Sequence, residues 1–175
     1  GGGSGIGLAA AAALVADGAD VTLMGRTAAK LEAAAVVLRA NAPEGVRVSA
    51  YAGDVTADAD VAAAVGLADA EGQLRIAVAS AGDGTMGPVV ATSTDEWNRV
   101  IGVSLTGVFL TFREAGAAIV RNGGGSMVAV SFSVTPDDLS NLGSIRAAIT
   151  PPGPDGTPTP LSGLISDVND SRDDA

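Results

Sequence analysis

The stretch Gly1-Gly2-Gly3-Ser4-Gly5-Ile6-Gly7 decides the fold, because it runs directly into an alanine-rich segment predicted to be helical to about Asp17. Glycines let the backbone approach a phosphate closely, and a helix that begins behind them directs free N–H groups and a partial positive charge at that phosphate. Such a loop is expected to follow a buried strand, and no strand precedes it in this sequence. We therefore interpret the chain as a fragment that starts inside a phosphate-binding motif.

Behind this loop, apolar strands alternate with helices. Strands are predicted over residues 19–24, 46–50, 74–79 and 126–131, and helices over residues 28–40, 58–70 and 94–121. This alternation requires a mostly parallel sheet covered by helices on both faces. We therefore predict a Rossmann-like three-layer α/β/α domain over residues 1–149. Residues 150–175 are rich in Pro, Gly, Ser and Asp, and we expect them to form a disordered tail.

The helix boundaries carry their own signals. Thr27 and Thr56 are predicted N-caps of the second and third helices, and Ser93-x-x-Glu96 predicts a capping box before the long helix. On that long helix the residues Trp97, Ile101, Ser104 and Val108 fall on one face. The spacing predicts that Ser104 points toward the core.

Composition excludes several kinds of function. The chain of 175 residues carries a formal net charge of −10, which argues against nucleic-acid binding because that requires basic patches. It contains no Cys and no His, so disulfides, a zinc site and an imidazole base are excluded, and we predict no metal site. Apolar runs are interrupted by Gly, Asp or Arg, and no segment has the pattern of a secretory leader. We expect a cytoplasmic protein that does not associate with membranes.

Further short motifs fall at the ends of the predicted strands and in the long helix. They are Gly25-Arg26, Gly53-Asp54-Val55, Ser80-Ala81-Gly82, Trp97-Asn98-x-Val100-Ile101-x-Val103-Ser104-Leu105-x-Gly107, and Gly124-Gly125-Ser126-Met127-Val128-Ala129-Val130-Ser131. Together with the glycine loop they resemble the short-chain dehydrogenase/reductase family over about residues 1–149. The resemblance implies an oxidoreductase that uses a nicotinamide dinucleotide and acts on an alcohol or carbonyl substrate.

The resemblance also implies which residues would hold the dinucleotide. Gly1, Ser4, Gly5, Ile6 and Gly7 would surround the pyrophosphate, Arg26, Asp54 and Val55 would lie at the adenosine, and Ser80, Ala81 and Gly82 would lie beside the nicotinamide ribose.

Arg26 bears on the choice of cofactor. A fold that prefers NAD usually has an acid at the end of its second strand, and this sequence has Gly25 followed by Arg26. A guanidinium suits a 2′-phosphate, so NADP is favoured over NAD. Two alternatives stay open: Arg26 is a solvated residue at a helix start, and the Asp54 carboxylate satisfies backbone donors in its own turn instead of contacting adenine.

The catalytic positions of the family are not matched. Its chemistry uses a Tyr, a Lys four residues later, a Ser and an Asn, and this sequence has Leu142, Arg146, Phe132 and Ser104 at those places. Ser131 and Ser133 flank Phe132 and remain weak candidates for polarising a carbonyl. The single Tyr, Tyr51, lies on the adenine side and is interpreted as structural. We therefore expect no turnover.

The family's first strand lies at the centre of the sheet, between the strands predicted over residues 19–24 and 74–79. Without it, those two strands must pair directly or leave backbone groups unpaired in the interior, each costing about 1–3 kcal/mol.

Three functions remain open at this level. The chain is an NADP-dependent oxidoreductase, a catalytically silent nucleotide-binding module that forms a homo-oligomer through helix 94–121, or a truncated product without a function. The alternative for the helix is that it packs only on its own sheet. The substrate cannot be inferred from the sequence.

Overall fold

The computed structural model describes residues 1–84 and 89–131, where helices and strands alternate as the sequence predicts. The helices are α1 (Gly5–Ala16), α2 (Ala28–Ala40), α3 (Asp58–Ala68), α4 (Thr94–Ile101) and α5 (Gly107–Arg121); the strands are β1 (Val21–Gly25), β2 (Val48–Ala52), β3 (Ile76–Ala79) and β4 (Ser126–Ala129). A π-helical segment, Gly102–Thr106, joins α4 to α5. These elements belong to one compact unit, Gly1–Ala129.

All strand pairing in the described residues is parallel. β1 pairs with β2 in the register Val21↔Val48 to Gly25↔Ala52, and β3 pairs with β4 in the register Ile76↔Ser126 to Ala79↔Ala129. Parallel neighbours need crossover connections, which α2 and the long helical stretch provide. α1 packs on α2, and α3 packs on α5. The predicted α/β architecture is confirmed.

The strands form two two-stranded sheets instead of one continuous sheet. β1 and β3, which the family's first strand would separate, are not hydrogen-bonded to each other. Of the two alternatives stated for these strands, direct pairing is therefore wrong, and the edges that face each other stay unpaired by backbone.

The hydrophobic core is divided in the same way. Around β1 and β2, a cluster of buried residues joins the strands to α1 and α2: Ala11, Val15, Leu23, Leu31, Ala34, Ala35, Leu38 and Val48. On the other side, the buried apolar residues come from α3, β3 and α5: Val61, Ala64, Ala79, Leu110, Ala115, Ala118 and Ile119. Most of these side chains are small, so helices approach closely but each one buries little apolar surface.

The long helix departs from its prediction at Ser104. The π-helical segment places one extra residue in a turn, which rotates the following residues relative to a regular helix. Ser104 is exposed instead of pointing toward the core, and Trp97 is 58% exposed. The face assignment made from a regular period of 3.6 residues was therefore wrong for this stretch.

The predicted helix caps have mixed outcomes. The capping box is confirmed: Ser93 Oγ accepts from the Glu96 N–H at 3.2 Å, and Glu96 Oε2 accepts from the Ser93 N–H at 3.1 Å. Thr27 is the N-cap of α2 by position but makes no capping hydrogen bond. The N-cap of α3 is Ala57, so Thr56 was wrong; its N–H and hydroxyl bond to Asp54 instead.

Thr94–Arg121 is a helical stretch of 28 residues with a mean hydropathy of 1.4 in its most apolar window. Its length and composition alone would let it cross a membrane, but core helices of soluble proteins pass the same test. Leu110, Ala118 and Ile119 on this stretch are buried, and α5 packs on β3. We therefore describe it as a helix of the α/β core.

The second unit runs from Val130 to Ala175, and the structure describes only its first two residues. The predicted end of the domain at residue 149 and the predicted disordered tail over residues 150–175 lie outside the described residues.

Gly107 lets the long helix approach the turn after β2, which yields a testable prediction. A Cβ at Gly107 would lie 2.8 Å from Val55 Cγ2, on a short branched side chain that cannot move away. We expect Gly107→Ala to lower the free energy of unfolding by about 1–3 kcal/mol through overpacking. The matched control is Gly66→Ala in α3, where a Cβ meets nothing within 4 Å; it should raise that free energy by up to about 1 kcal/mol. Urea unfolding measures both, and equal effects would contradict the contact.

Candidate functional site

The glycine loop lies between the carboxyl ends of β1 and β3. The amino group of Gly1 and the N–H of Gly2 each donate to the Met24 carbonyl at 2.9 Å. On the other side, a Cβ at Gly1 would lie 2.6 Å from the Ser80 Oγ and from the Ala81 N. Only a residue without a side chain fits this gap. The structure therefore brings the loop together with the Ser80-Ala81 segment, as the resemblance implies.

The start of α1 leaves room for an anion. Gly5, the first residue of α1, has φ +54°, a left-handed conformation that favours glycine, and a Cβ there would meet nothing within 4 Å. Ser4, the N-cap, makes no side-chain capping bond, and the first turn holds no acidic residue. The N–H groups of a first helical turn have no partner within the helix. These groups and the open space beside Gly5 fit a phosphate.

Gly7 allows the first turn of α1 to rest on the loop. A Cβ at this position would overlap the Ser80 Oγ and the Gly1 carbonyl. Ile6, between the two glycines, is 41% exposed and does not belong to the core. The predicted residues Gly1, Ser4, Gly5, Ile6 and Gly7 thus form one continuous surface at the helix start.

Arg26 follows β1 directly and is exposed beside this surface. It makes no hydrogen bond or ion pair with any residue in 1–84 or 89–131. All the other arginines of those ranges do: Arg39, Arg47, Arg75, Arg99, Arg113 and Arg121. An unpaired guanidinium at the end of β1 is available to an anionic ligand.

Lys30 is a second cation near the loop, and sequence reasoning missed it. It lies in the first turn of α2, and its Cγ is 3.6 Å from where a Cβ of Gly3 would be. Within the described part of the chain it also has no ion pair. The spacing of Arg26 and Lys30, four residues apart across a helix start, was the available signal.

The charge of Arg26 reaches the groups around the loop. Burial, followed by the Arg26 charge, lowers the pKa of the Gly1 amino group. Hydrogen bonds from Thr56 are the main cause that lowers the pKa of the Asp54 carboxyl, and Arg26 contributes to it. A third group, Asp83, also has a lowered pKa, mainly through Arg99, with a smaller contribution from Arg26. Arg26 is therefore close to both faces of the site.

Asp54 is engaged in its own turn. Its Oδ1 accepts from the N–H and the hydroxyl of Thr56, each at 2.8 Å, while its own N–H donates to Asp60 Oδ2 at 2.8 Å. The alternative stated for Asp54, that it satisfies donors within the turn, is thus observed for one of its oxygens. Val55 packs beneath Gly107, so the turn is held against the long helix.

The loop after β3 is tied to the π-helical segment. The Asp83 N–H donates to Ser104 Oγ at 3.2 Å, and Ser104 Oγ lies 3.3 Å from the Asp83 carbonyl. Arg99 forms an ion pair with the Asp83 carboxylate. Sequence reasoning missed this link because Ser104 reaches the loop only through the π-helical register. Gly82 lies between this anchor and Ala81, and its exposed backbone stays open.

The candidates for catalysis are not assembled by the described residues. Ser131 is exposed after β4. Ser133 lies outside the described residues, as do Phe132, Leu142 and Arg146. Tyr51 is half-buried in β2, and its ring lies 2.7 Å from where a Cβ of Gly53 would be, which supports a packing role. Among the described residues, no group of three or more Asp or Glu could hold a metal ion.

Known proteins resemble this chain in sequence and in structure. A family model described as short chain dehydrogenase matches residues 1–142. Galactitol 2-dehydrogenase (L-tagatose-forming) of Cereibacter sphaeroides is 35% identical over 149 residues, which are 85% of this chain and 52% of that protein. The chain spans about half the length of the curated relatives it matches.

Solved structures show the same fold. A short-chain type dehydrogenase/reductase from Mycobacterium ulcerans superimposes with a TM-score of 0.73 at 36% identity, covering 75% of this chain and 49% of that one. L-sorbose reductase from Gluconobacter frateurii, complexed with NADPH and L-sorbose, gives a TM-score of 0.68 at 28% identity, covering 74% of this chain and 49% of that one. With the family model matched over most of its length, the chain belongs to the short-chain dehydrogenase family.

Proposed function

We propose that the chain binds NADP(H) at the glycine loop, in preference to NAD(H), and does not by itself catalyse turnover. The observation that carries the proposal is the unpaired Arg26 guanidinium beside the loop. A 2′-phosphate distinguishes the two cofactors, and a guanidinium can bind it with two hydrogen bonds. Lys30 adds a second positive charge on the same side.

The relatives support this choice of ligand. L-sorbose reductase, with a TM-score of 0.68 to this chain, was solved with NADPH. Here the fit rests on this chain's own residues: the open start of α1 for the pyrophosphate, Arg26 and Lys30 for the 2′-phosphate, and the Ser80–Gly82 backbone for the ribose. Asp54 contributes mainly by shaping its turn, because one of its oxygens is already occupied.

The absence of turnover follows from the proton chemistry. A bound nicotinamide supplies hydride, but reduction of a carbonyl also requires a proton donor. The places that hold Tyr and Lys in the family hold Leu142 and Arg146, and neither is a proton donor near neutral pH. Ser131 and Ser133 remain as hydrogen-bond donors to a carbonyl, without a base beside them.

A second proposal concerns self-association through helix 94–121. Leu105, Phe109 and Val120 are 62%, 58% and 76% exposed, and their spacings of 4 and 11 residues are close to whole numbers of helical turns. An exposed apolar stripe of this kind favours a homodimer. Sedimentation should show a dimer for the wild type and a monomer for Phe109→Asp; a monomeric wild type would contradict the proposal.

Calorimetry with NADPH and NADH tests the nucleotide proposal, and Arg26→Glu sharpens it. We expect wild-type protein to bind NADPH at least about tenfold more tightly than NADH. The substitution should weaken NADPH binding by about 100-fold, since a charged pair of hydrogen bonds is replaced by repulsion, and change NADH binding by less than about threefold. Equal losses for the two cofactors would refute the assignment of the 2′-phosphate to Arg26.

Two controls accompany this experiment. Arg121→Glu changes the net charge equally at a side chain that is 67% exposed and pairs with Asp69 near the amino end of β3; it should leave both affinities unchanged. Oxidation of NADPH with a panel of carbonyl compounds, followed by absorbance, should show no turnover. Measurable turnover would overturn the proposal of a silent module while leaving the binding site intact.

A further inference from the structure

A slot lies between β1 and β3, inside the compact unit. The cavity there has a volume of about 570 Å³ and is lined by both strands along their length. Its remaining walls are mostly apolar and come from three helices, with Leu14 from α1, Val61 and Val65 from α3, and Val108 from α5. The slot is therefore closed by backbone edges on two sides and by apolar helix faces on the others.

The hydrogen bonds show which backbone groups of β1 face the slot. The Val21 N–H donates to the Arg47 carbonyl, and the Gly25 carbonyl accepts from the Gly53 N–H, both at 2.9 Å. Residues 21, 23 and 25 thus direct their backbone groups at β2. Because these directions alternate along a strand, Thr22 and Met24 direct theirs into the slot.

The same reasoning applies to β3. The Ser126 N–H donates to the Arg75 carbonyl at 2.8 Å, so residues 75, 77 and 79 direct their backbone groups at β4. Ile76 and Val78 then direct theirs into the slot from the opposite side. Two rows of backbone donors and acceptors face each other, and within the described residues neither row has a strand partner.

Contacts at both ends show that β1 and β3 run in the same direction. At their carboxyl ends, the Gly1 loop contacts both Met24 and Ser80. At their amino ends, Arg47 bonds both to Asp20, just before β1, and to Glu71, before β3. A strand lying between them can therefore be parallel to both at once. The charged side chains that line the slot are Asp20, Arg47, Glu71 and Arg75, all at this amino end.

We propose that the slot binds one extended apolar peptide strand of about five residues, parallel to β1 and β3, with its carboxyl end at Gly1. Strand edges of four and five residues correspond to a length of about 16 Å. Helix faces on both sides require an almost wholly apolar strand, as in other buried parallel sheets, and β-branched residues suit it best. A cationic residue is tolerated only at the amino end, beside Asp20 and Glu71.

A strand explains the features of the slot better than a small apolar ligand does. A small ligand would fill the volume but leave the two rows of backbone groups without partners. A strand satisfies both rows and joins the two halves of the core. The position of Gly1 supports this direction of entry, because its amino group already bonds to Met24 at the carboxyl end of the slot. The proposal goes beyond nucleotide binding and does not depend on it.

Calorimetry and thermal melting of the full 175-residue chain with a synthetic peptide, acetyl-Lys-Lys-Val-Val-Ile-Val-Val-amide, test the proposal without any nucleotide present. We expect saturable one-to-one binding and a rise in Tm of about 4 °C at a peptide concentration ten times Kd. The control peptide has proline at the central position; it lacks one N–H donor and should bind at least about tenfold more weakly. Equal binding of both peptides would overturn a strand ladder and identify a general apolar cavity.

A second variant locates the binding site. Joining the same strand covalently to the amino group of Gly1 should raise Tm and abolish binding of the free peptide, because the slot is then filled. A joined chain that still binds the peptide like the wild type would overturn the assignment to the slot. A wild-type oligomer that the peptide converts to monomers would identify a second copy of the chain as the occupant and contradict the proposal. Because nucleotide is absent throughout, these outcomes are independent of the NADP(H) proposal.

Discussion

The contact of the glycine loop with the carboxyl ends of two strands is the interaction on which the rest of this structure depends. Gly1 and Gly2 bond to the Met24 carbonyl, and Gly1 and Gly7 leave room for Ser80 only because they lack side chains. This contact positions the start of α1 and is one of the few that link the two sheets. The nucleotide site and the alignment of β1 with β3 therefore have the same physical origin.

The division of the sheet sets the balance between fold and stability. Each half retains its parallel pair and its own apolar cluster, but β1 and β3 face each other across a slot. The loop after β3 is held separately, by Asp83 with Arg99 and Ser104. The nucleotide-binding surface thus depends on contacts outside the slot, while the strength of the whole unit depends on whether the slot is filled.

Much of this arrangement could be predicted from the sequence, because glycine spacing, strand–helix alternation and the Ser93–Glu96 capping box act locally. The positions of Gly1, Arg26 and Ser80 around one loop followed from the family resemblance. Ser104 could not be placed, since a π-helical turn depends on packing and has no clear sequence signal. Lys30, Asp60 and the Asp83–Arg99 pair were missed for a related reason: their partners are brought near by tertiary structure.

The most direct measurement of the central claim, that β1 and β3 are unpaired edges of one slot, is residue-resolved amide hydrogen exchange by NMR. The account predicts that the amides of Thr22, Met24 and Val78, which face the slot, exchange at least about tenfold faster than those of Leu23 and Ala77, which bond to β2 and β4. Equal protection of the two sets of amides would show that β1 and β3 are paired with a strand, and would contradict the account.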